Sequence, residues 1–241
     1  MALRLDELSW VDVAAHLARD PRLIVPVGAL EQHGPHLPLA TNVLVADRLA
    51  RDLSLEFGVL RAPPFPYGVV VPADRSFAGT TSLTKKTLHR ALNELLAGWE
   101  RHGVAEFVMV TAHRHEPHLE SLATLLTERA RVRVVEAWDV EVSDLLEAQP
   151  AALHADEAET SVMLYLYPEL VRMDRALDFD VPPRDFWRRV RGRDGASAPA
   201  GVVGRPSAAT AAKGERIYRR ILDAIRRAVF LSPKDRESDT L

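Results

Sequence analysis

Apolar positions change period along the chain, and the changes mark out its elements. Arg22 to Ala29 (RLIVPVGA) is a short apolar run of strand type. Asn42 to Phe57 sets Val45, Ala46, Leu49 and Leu53 at helical spacing. Thr84 to His102 is a second helical pattern, closed by Gly103. Ala105 to Thr111 (AEFVMVT) is a buried strand. Glu116 to Ala130 is a third helix with Leu119, Leu122, Leu126 and Ala130 on one stripe, and Arg131 to Trp138 is another strand. Ala158 to Leu166 and Ser207 to Val229 complete the set as helices. Strands that alternate with helices predict an α/β fold: a three-layer sandwich with a mostly parallel central sheet. Residues 1–231 read as a single domain, followed by a polar tail at 232–241.

Two irregular stretches interrupt this order. Pro63 to Thr81 holds four prolines and two glycines, and Val181 to Pro206 mixes Pro, Gly and Arg. Loops this long inside a domain are functional or disordered. In an open α/β sheet the ligand crevice lies beyond the carboxyl ends of the strands, so the residues that follow the strands are the ones to inspect.

Composition narrows the chemistry. The chain has 241 residues, 47% hydrophobic and 27% charged, which is globular rather than disordered. No run of about 18 apolar residues predicts a membrane span, and the acidic opening MALRLDELSWVDV lacks the apolar stretch of a signal peptide. A net charge of −3 gives no electrostatic case for nucleic acid or an anionic membrane. There is no cysteine, so any metal must be held by nitrogen and oxygen, and the nine histidines gain weight for that reason. A cytoplasmic location is the expectation.

Three polar clusters follow predicted strands or open a helix. The first is Glu31-Gln32-His33-Gly34-Pro35-His36. Side chains two apart in an extended segment point the same way, so Glu31 and His33 project together. The same residues also read as a polar loop with a helix cap at Thr41 or Asn42, although a buried charge in this apolar setting needs a partner or a metal. The second cluster, His113-Arg114-His115-Glu116-Pro117-His118, repeats the spacing; it reads as metal ligands or as a solvated helix start with Glu116 favourable at the N-terminus. The third, His154-Ala155-Asp156-Glu157-Ala158-Glu159, opens an apolar helix. Its carboxylates read as dipole compensation, except that Glu159 has uncharged neighbours on a helix that looks buried.

In this order and context the clusters resemble the creatininase (creatinine amidohydrolase) family. VPVGALEQHGPHLPL matches its first motif, FAGTTSL resembles its F-P-G-T-x-S-L segment, and HADEAETSVMLYLYPELV resembles its H-x-G-x-x-E-T-S-L-M-L stretch. The likeness continues into AATAAKGERIY, and GRPSAATAAKGE looks like the branch of mycofactocin-maturation peptidases. The resemblance implies a metal-dependent amidohydrolase acting on a C–N bond of a small molecule or short peptide. It implies metal ligands Glu31 and His113 for one cation and His33 and Glu159 for a second, with Asn42 at the position of the family's bridging aspartate and His115 where creatininase has a glutamate ligand. It further implies His154 handling protons, Glu159 beside it in catalysis, and Trp138 near the substrate. Arg114 and Arg75 are candidates for a substrate carboxylate. Arg184 to Arg193 would help shape the pocket, and the family's habit is a homo-oligomer, a hexamer or a dimer.

The departures alter the charge balance. The creatininase pattern brings four carboxylates; this chain brings Glu31 and Glu159, an amide and an extra imidazole. Two divalent cations with a hydroxide would leave positive charge uncompensated in a low-dielectric pocket, which costs several kcal/mol. A single cation on Glu31, His113, His115 and Asn42 is electrostatically easier. Zinc, manganese and iron all accept such ligands. Two other readings stay open: a degenerate member that binds or assembles without hydrolysis, and a different reaction at a mononuclear metal.

Overall fold

The computed structural model describes residues 3–180 and 200–231. The arginine-rich stretch 184–193 and the polar tail 232–241 lie outside the described residues. Four strands, β1 (Arg22–Val27), β2 (Leu60–Arg61), β3 (Glu106–Thr111) and β4 (Arg131–Glu136), form one sheet in the order β2-β1-β3-β4. All pairings are parallel, with Arg22 opposite Glu106 and Glu106 opposite Arg131.

The period of two along β1 and β3 sends side chains to opposite faces. Ile24, Val108 and Val110 pack with Val45, Leu49 and Leu53 of α2 (Thr41–Phe57), Val162 and Met163 of α5 (Glu157–Leu166), and Ile217 and Ile221 of α6 (Ala211–Ile225). Leu23, Val25, Val27, Phe107 and Met109 pack with Leu17 of α1 (Trp10–Leu17), Leu88, Leu92 and Leu96 of α3 (Lys85–Arg101), and Leu122 of α4 (Glu116–Ala123). The result is a three-layer α/β sandwich. Each leucine withdrawn from water contributes about 1.5–3 kcal/mol.

Local chemistry sets the helix ends. Thr84 Oγ1 accepts from Thr87 N–H at the start of α3, and Gly103 beyond its end takes φ +103°. The third helix is shorter than its apolar stripe predicts. It stops at Ala123 because α3 captures the backbone that follows: Asn93 Oδ1 accepts from Leu126 N–H (2.8 Å), and the Glu100 carboxylate accepts from the N–H groups of Glu128, Arg129 and Ala130. Side-chain acceptors thus replace the intrahelical carbonyls, and Leu126 is left 69% exposed. The last helix begins at Ala211 rather than Ser207, since Thr210 caps it by accepting from Lys213 N–H, and it ends in a π-helical turn, Arg226–Phe230.

Helices α5 and α6 are joined unusually closely. A Cβ added to Gly214 would lie 1.8 Å from the Ser161 carbonyl oxygen, so only glycine permits this approach. Beside it the Lys213 ammonium donates to Glu157 Oε1 (2.6 Å) and to the Ala208 carbonyl (2.7 Å). Glu157 also accepts from the N–H groups of Glu147 and Ala148, so the buried ion pair is fully hydrogen-bonded. This assembly anchors the segment that carries His154 and Glu159. Among the described residues no helix is long and apolar enough to cross a membrane.

Candidate functional site

The carboxyl ends of β1 and β3 face the N-terminus of α5. Beyond β1 the Glu31 N–H donates to the Leu39 carbonyl (3.0 Å), and the Gln32 N–H donates to Thr80 Oγ1 (2.9 Å). These bonds hold Glu31 and His33 in a buried segment, 2% and 0% exposed. His33 Nδ1 lies 2.9 Å from the Glu31 carbonyl oxygen. A carbonyl only accepts, so Nδ1 carries the proton and Nε2 presents its lone pair. That Nε2 has no hydrogen-bond partner, and Glu159 Oε2 lies 3.8 Å away.

Beyond β3 the pattern differs. His113 Nε2–H donates to the Val69 carbonyl (2.8 Å), and its Nδ1 stands 3.1 Å from Glu31 Oε2. Asn42, in the first turn of α2, donates from Nδ2 to Glu31 Oε2 (3.2 Å) and meets His113 Nδ1 at 3.0 Å. His118 sits edge-on to His113, takes the Val69 N–H on Nδ1 (3.4 Å) and reaches Thr111 Oγ1 through Nε2 (3.1 Å). His115 is buried with its ring 6.0 Å from that of His113; its carbonyl accepts from the His118 N–H (2.9 Å), while its ring makes no hydrogen bond among the described residues.

The third contribution comes from α5. Asp156 caps the helix by accepting from Glu159 N–H (2.8 Å). Ala155 before it is left-handed, φ 51°, and this turns its N–H onto Glu159 Oε2 at 2.6 Å. The partly exposed His154 ring lies 4.6 Å from the His33 ring. Its Nε2 is 3.0 Å from both the carbonyl and the side-chain amide nitrogen of Gln32. Gln32 in turn donates to Asp74 Oδ1 (2.9 Å). Glu31, His33 and His154 each offer a ligand atom, all within 4.8 Å of one another.

Electrostatics follow from this packing. Burial alone would raise the Glu31 carboxyl, but the His113 imidazole outweighs it and holds Glu31 well below the usual carboxylate range. Burial alone would lower His113, and the Glu31 carboxylate more than reverses that. His33 is pushed down to about 3 by burial and by neighbouring His154. Burial lifts the Glu159 carboxyl to about 7, against the pull of His154. The site therefore offers an ionised Glu31 and a neutral His33, the protonation states that metal ligands require.

The structure thus brings Glu31, His33, Asn42, His113, His154 and Glu159 together. Trp138 is buried, its indole N–H donating to the Ala112 carbonyl (3.1 Å). The Arg114 guanidinium is bound to the Trp138 carbonyl, lies 3.5 Å from that of Ala152, and is 3.4 Å from Glu136; it braces the turn after β4. Gln32, Asp74 and His118 emerge as site residues without a role in the sequence reading. Gln32 stood between two candidates. His118 belonged to a histidine cluster, whereas an aspartate in the turn Pro72–Ser76 carries no signal of its own.

Comparison with known proteins identifies the family. A creatinine amidohydrolase of Pseudomonas putida is 32% identical over 91% of this chain and 95% of its own. A mycofactocin precursor peptide peptidase of Mycobacterium ulcerans (strain Agy99) is 32% identical over 84% of this chain and 82% of its own. A solved structure of the manganese form of creatininase superposes with a TM-score of 0.78 at 28% identity, covering 94% of this chain and 98% of that one. The family model described as creatinine amidohydrolase matches residues 6–229. With its fold, its strand-end carboxylate and histidines and its whole-length similarity in agreement, the chain belongs to the creatininase family.

Proposed function

We propose that the chain hydrolyses a C–N bond, an amide or cyclic amide, in a small molecule or short peptide, with a divalent cation (zinc, manganese or iron) in an altered site. One observation carries the reading: an ionised, buried Glu31 and a buried imidazole nitrogen with nothing to bond, His33 Nε2, share one pocket with His154 and Glu159. The donors are all nitrogen and oxygen, which suits these cations. Bound there, a divalent cation supplies Lewis acidity toward a carbonyl and lowers the pKa of water.

The chain's own groups do the rest. Glu31, His33, His113 and Glu159 are the ligand set, with Asn42 and His115 at its margin. Glu159, its Oε2 held by the Ala155 N–H, stands beside His154 where the proton moves. His154 is steadied by Gln32 and passes a proton to the leaving nitrogen. Trp138 supports the wall of the substrate pocket. Arg75, exposed on the Pro72–Ser76 turn, and Arg114 are the candidates for binding a substrate carboxylate. The work is intracellular and done by a homo-oligomer, hexamer or dimer; Trp10 (81% exposed) and Val11 offer apolar surface for a neighbouring copy.

The test is metal-reconstituted protein assayed against creatinine, formamides and short peptides. Turnover of one class that chelator abolishes and metal restores supports hydrolysis. Loss of hydrolysis with binding retained is the second reading, favoured by the neutral amide of Asn42 between Glu31 and His113. Activity that appears only in Asn42→Asp would establish it.

A further inference from the structure

We propose that the chain holds one divalent cation, in the corner where Glu31 and His33 face Glu159 and His154, and that the Asn42 amide closes the opposite corner between Glu31 and His113. The inference rests on the metal-dependent reading above and changes both the count of ions and the place.

Lone pairs distinguish the two corners. In the first corner His33 Nδ1–H is committed to the Glu31 carbonyl, so Nε2 is an acceptor, fully buried, with no donor in reach. A buried acceptor without a partner is costly. It faces Glu159 Oε2 at 3.8 Å, another acceptor. A proton on Glu159 or a cation between the two turns this opposition into attraction, and a cation serves both acceptors and Glu31 at once. Ligand atoms bound about 2.1 Å from one ion lie at most about 4.2 Å apart. The 4.8 Å spread of Glu31, His33 and His154 therefore closes with small rotamer changes.

The second corner is already satisfied. Glu31 Oε2 and His113 Nδ1 are 3.1 Å apart, and the Asn42 amide nitrogen reaches both, at 3.2 and 3.0 Å. An amide N–H₂ has two hydrogens and no lone pair to offer, so it takes the position where a cation would otherwise be attracted. His113 Nε2 is fixed on Val69 as well, and neither Glu31 nor His113 has an unpartnered buried atom. The carboxylates agree with this count: Glu31 and Glu159 together neutralise one dication, not two.

The experiment is metal content per chain, by elemental analysis after manganese or zinc reconstitution and gel filtration, together with electron paramagnetic resonance of the manganese form. The native chain is expected to hold one ion and to give the spectrum of an isolated Mn(II). His33→Ala is expected to weaken binding at least 100-fold, whereas His113→Gln, which keeps an amide for Glu31, changes it less than 10-fold. Asn42→Asp is expected to take up a second ion and give a spin-coupled spectrum. Circular dichroism checks that each variant is folded, and the native stoichiometry and spectrum decide the count even if one variant is not. Two ions in the native chain, or an ion lost from His113→Gln and kept by His33→Ala, would overturn the proposal while leaving the metal-dependent reading intact. No ion at all would remove both.

Discussion

After β1 the chain runs Glu31-Gln32-His33, and after β3 it runs His113-Arg114-His115; both place an imidazole two residues from another functional side chain. The β3 end is richer in histidine, yet two of its three imidazoles are tied down. His113 is held by Val69 at Nε2 and, at Nδ1, by Glu31 when protonated or by Asn42 when neutral; His118 is held by Val69 and Thr111. The β1 end leaves His33 Nε2 and His36 Nδ1 buried and unpartnered. Readiness for a cation depends on which lone pairs remain after the fold has taken its own hydrogen bonds, and a count of histidines does not measure that.

The comparison can be broken most readily through stability. His118→Ala removes a buried ring and strands Val69 N–H and Thr111, so it is expected to cost about 3 kcal/mol. His33→Ala removes a group whose Nε2 had no partner, and is expected to cost about 1 kcal/mol in chelator-treated protein. Urea unfolding of both variants measures the difference; equal losses would erase the distinction between the two ends.

A smaller effect is expected at Asp74, which belongs with the β1 end because it holds the Gln32 amide against His154. Asp74→Ala should lower turnover roughly 10-fold with little change in KM, as the loss of an outer support for an active group does. Asp74→Asn, which keeps an acceptor, should recover most of it. A loss confined to KM would place Asp74 in substrate binding instead.

The two ends should also differ in the pH dependence of stability. His113 has a raised folded pKa, so in chelator-treated protein its contribution is complete below its unfolded value of 6.5 and is lost as pH rises through the folded value. His33 titrates at about 3 when folded, so its neutral form is without penalty above 6.5, and stability is lost as pH falls toward about 3. His113→Gln should flatten the alkaline side of the urea midpoint profile and His33→Gln the acid side. The reverse assignment would mean the rings have exchanged environments.

The smallest change is expected at Ala155, whose left-handed backbone costs roughly 1 kcal/mol in a residue with a Cβ. Ala155→Gly should relieve that strain, gaining up to about 1 kcal/mol in thermal unfolding while the bond to Glu159 persists.

Much of the fold was legible because its causes are local. Thr84 and Gly103 bracket α3, and the alternation of Phe107, Val108, Met109 and Val110 across two packed faces is the period of a strand covered on both sides. The end of α4 was illegible because Glu100 and Asn93, on another helix, decide it. In the site, Glu31 and His33 were legible from spacing after a strand. Asn42 could be seen as a departure from the family pattern, but where its amide nitrogen points depends on two acceptors from other segments. Asp74 left no trace, since its meaning comes from a glutamine 42 positions away in sequence. Trp138, placed near the substrate by the resemblance, and Arg114, a candidate for a substrate carboxylate, each donate to a backbone carbonyl, which spacing along the chain does not reveal.

The anchoring of α5 by α6 bears on how the protein is made. Ser161 lies against Gly214 and Glu157 against Lys213, so the turn that presents His154 and Glu159 cannot settle until residues near the carboxyl end have left the ribosome. The sheet can form before Lys213 and Gly214 are synthesised, but the pocket settles only after them. A nascent chain arrested before Lys213 would already carry Glu31, His33 and His113 and still lack the anchor that fixes His154 and Glu159 beside them.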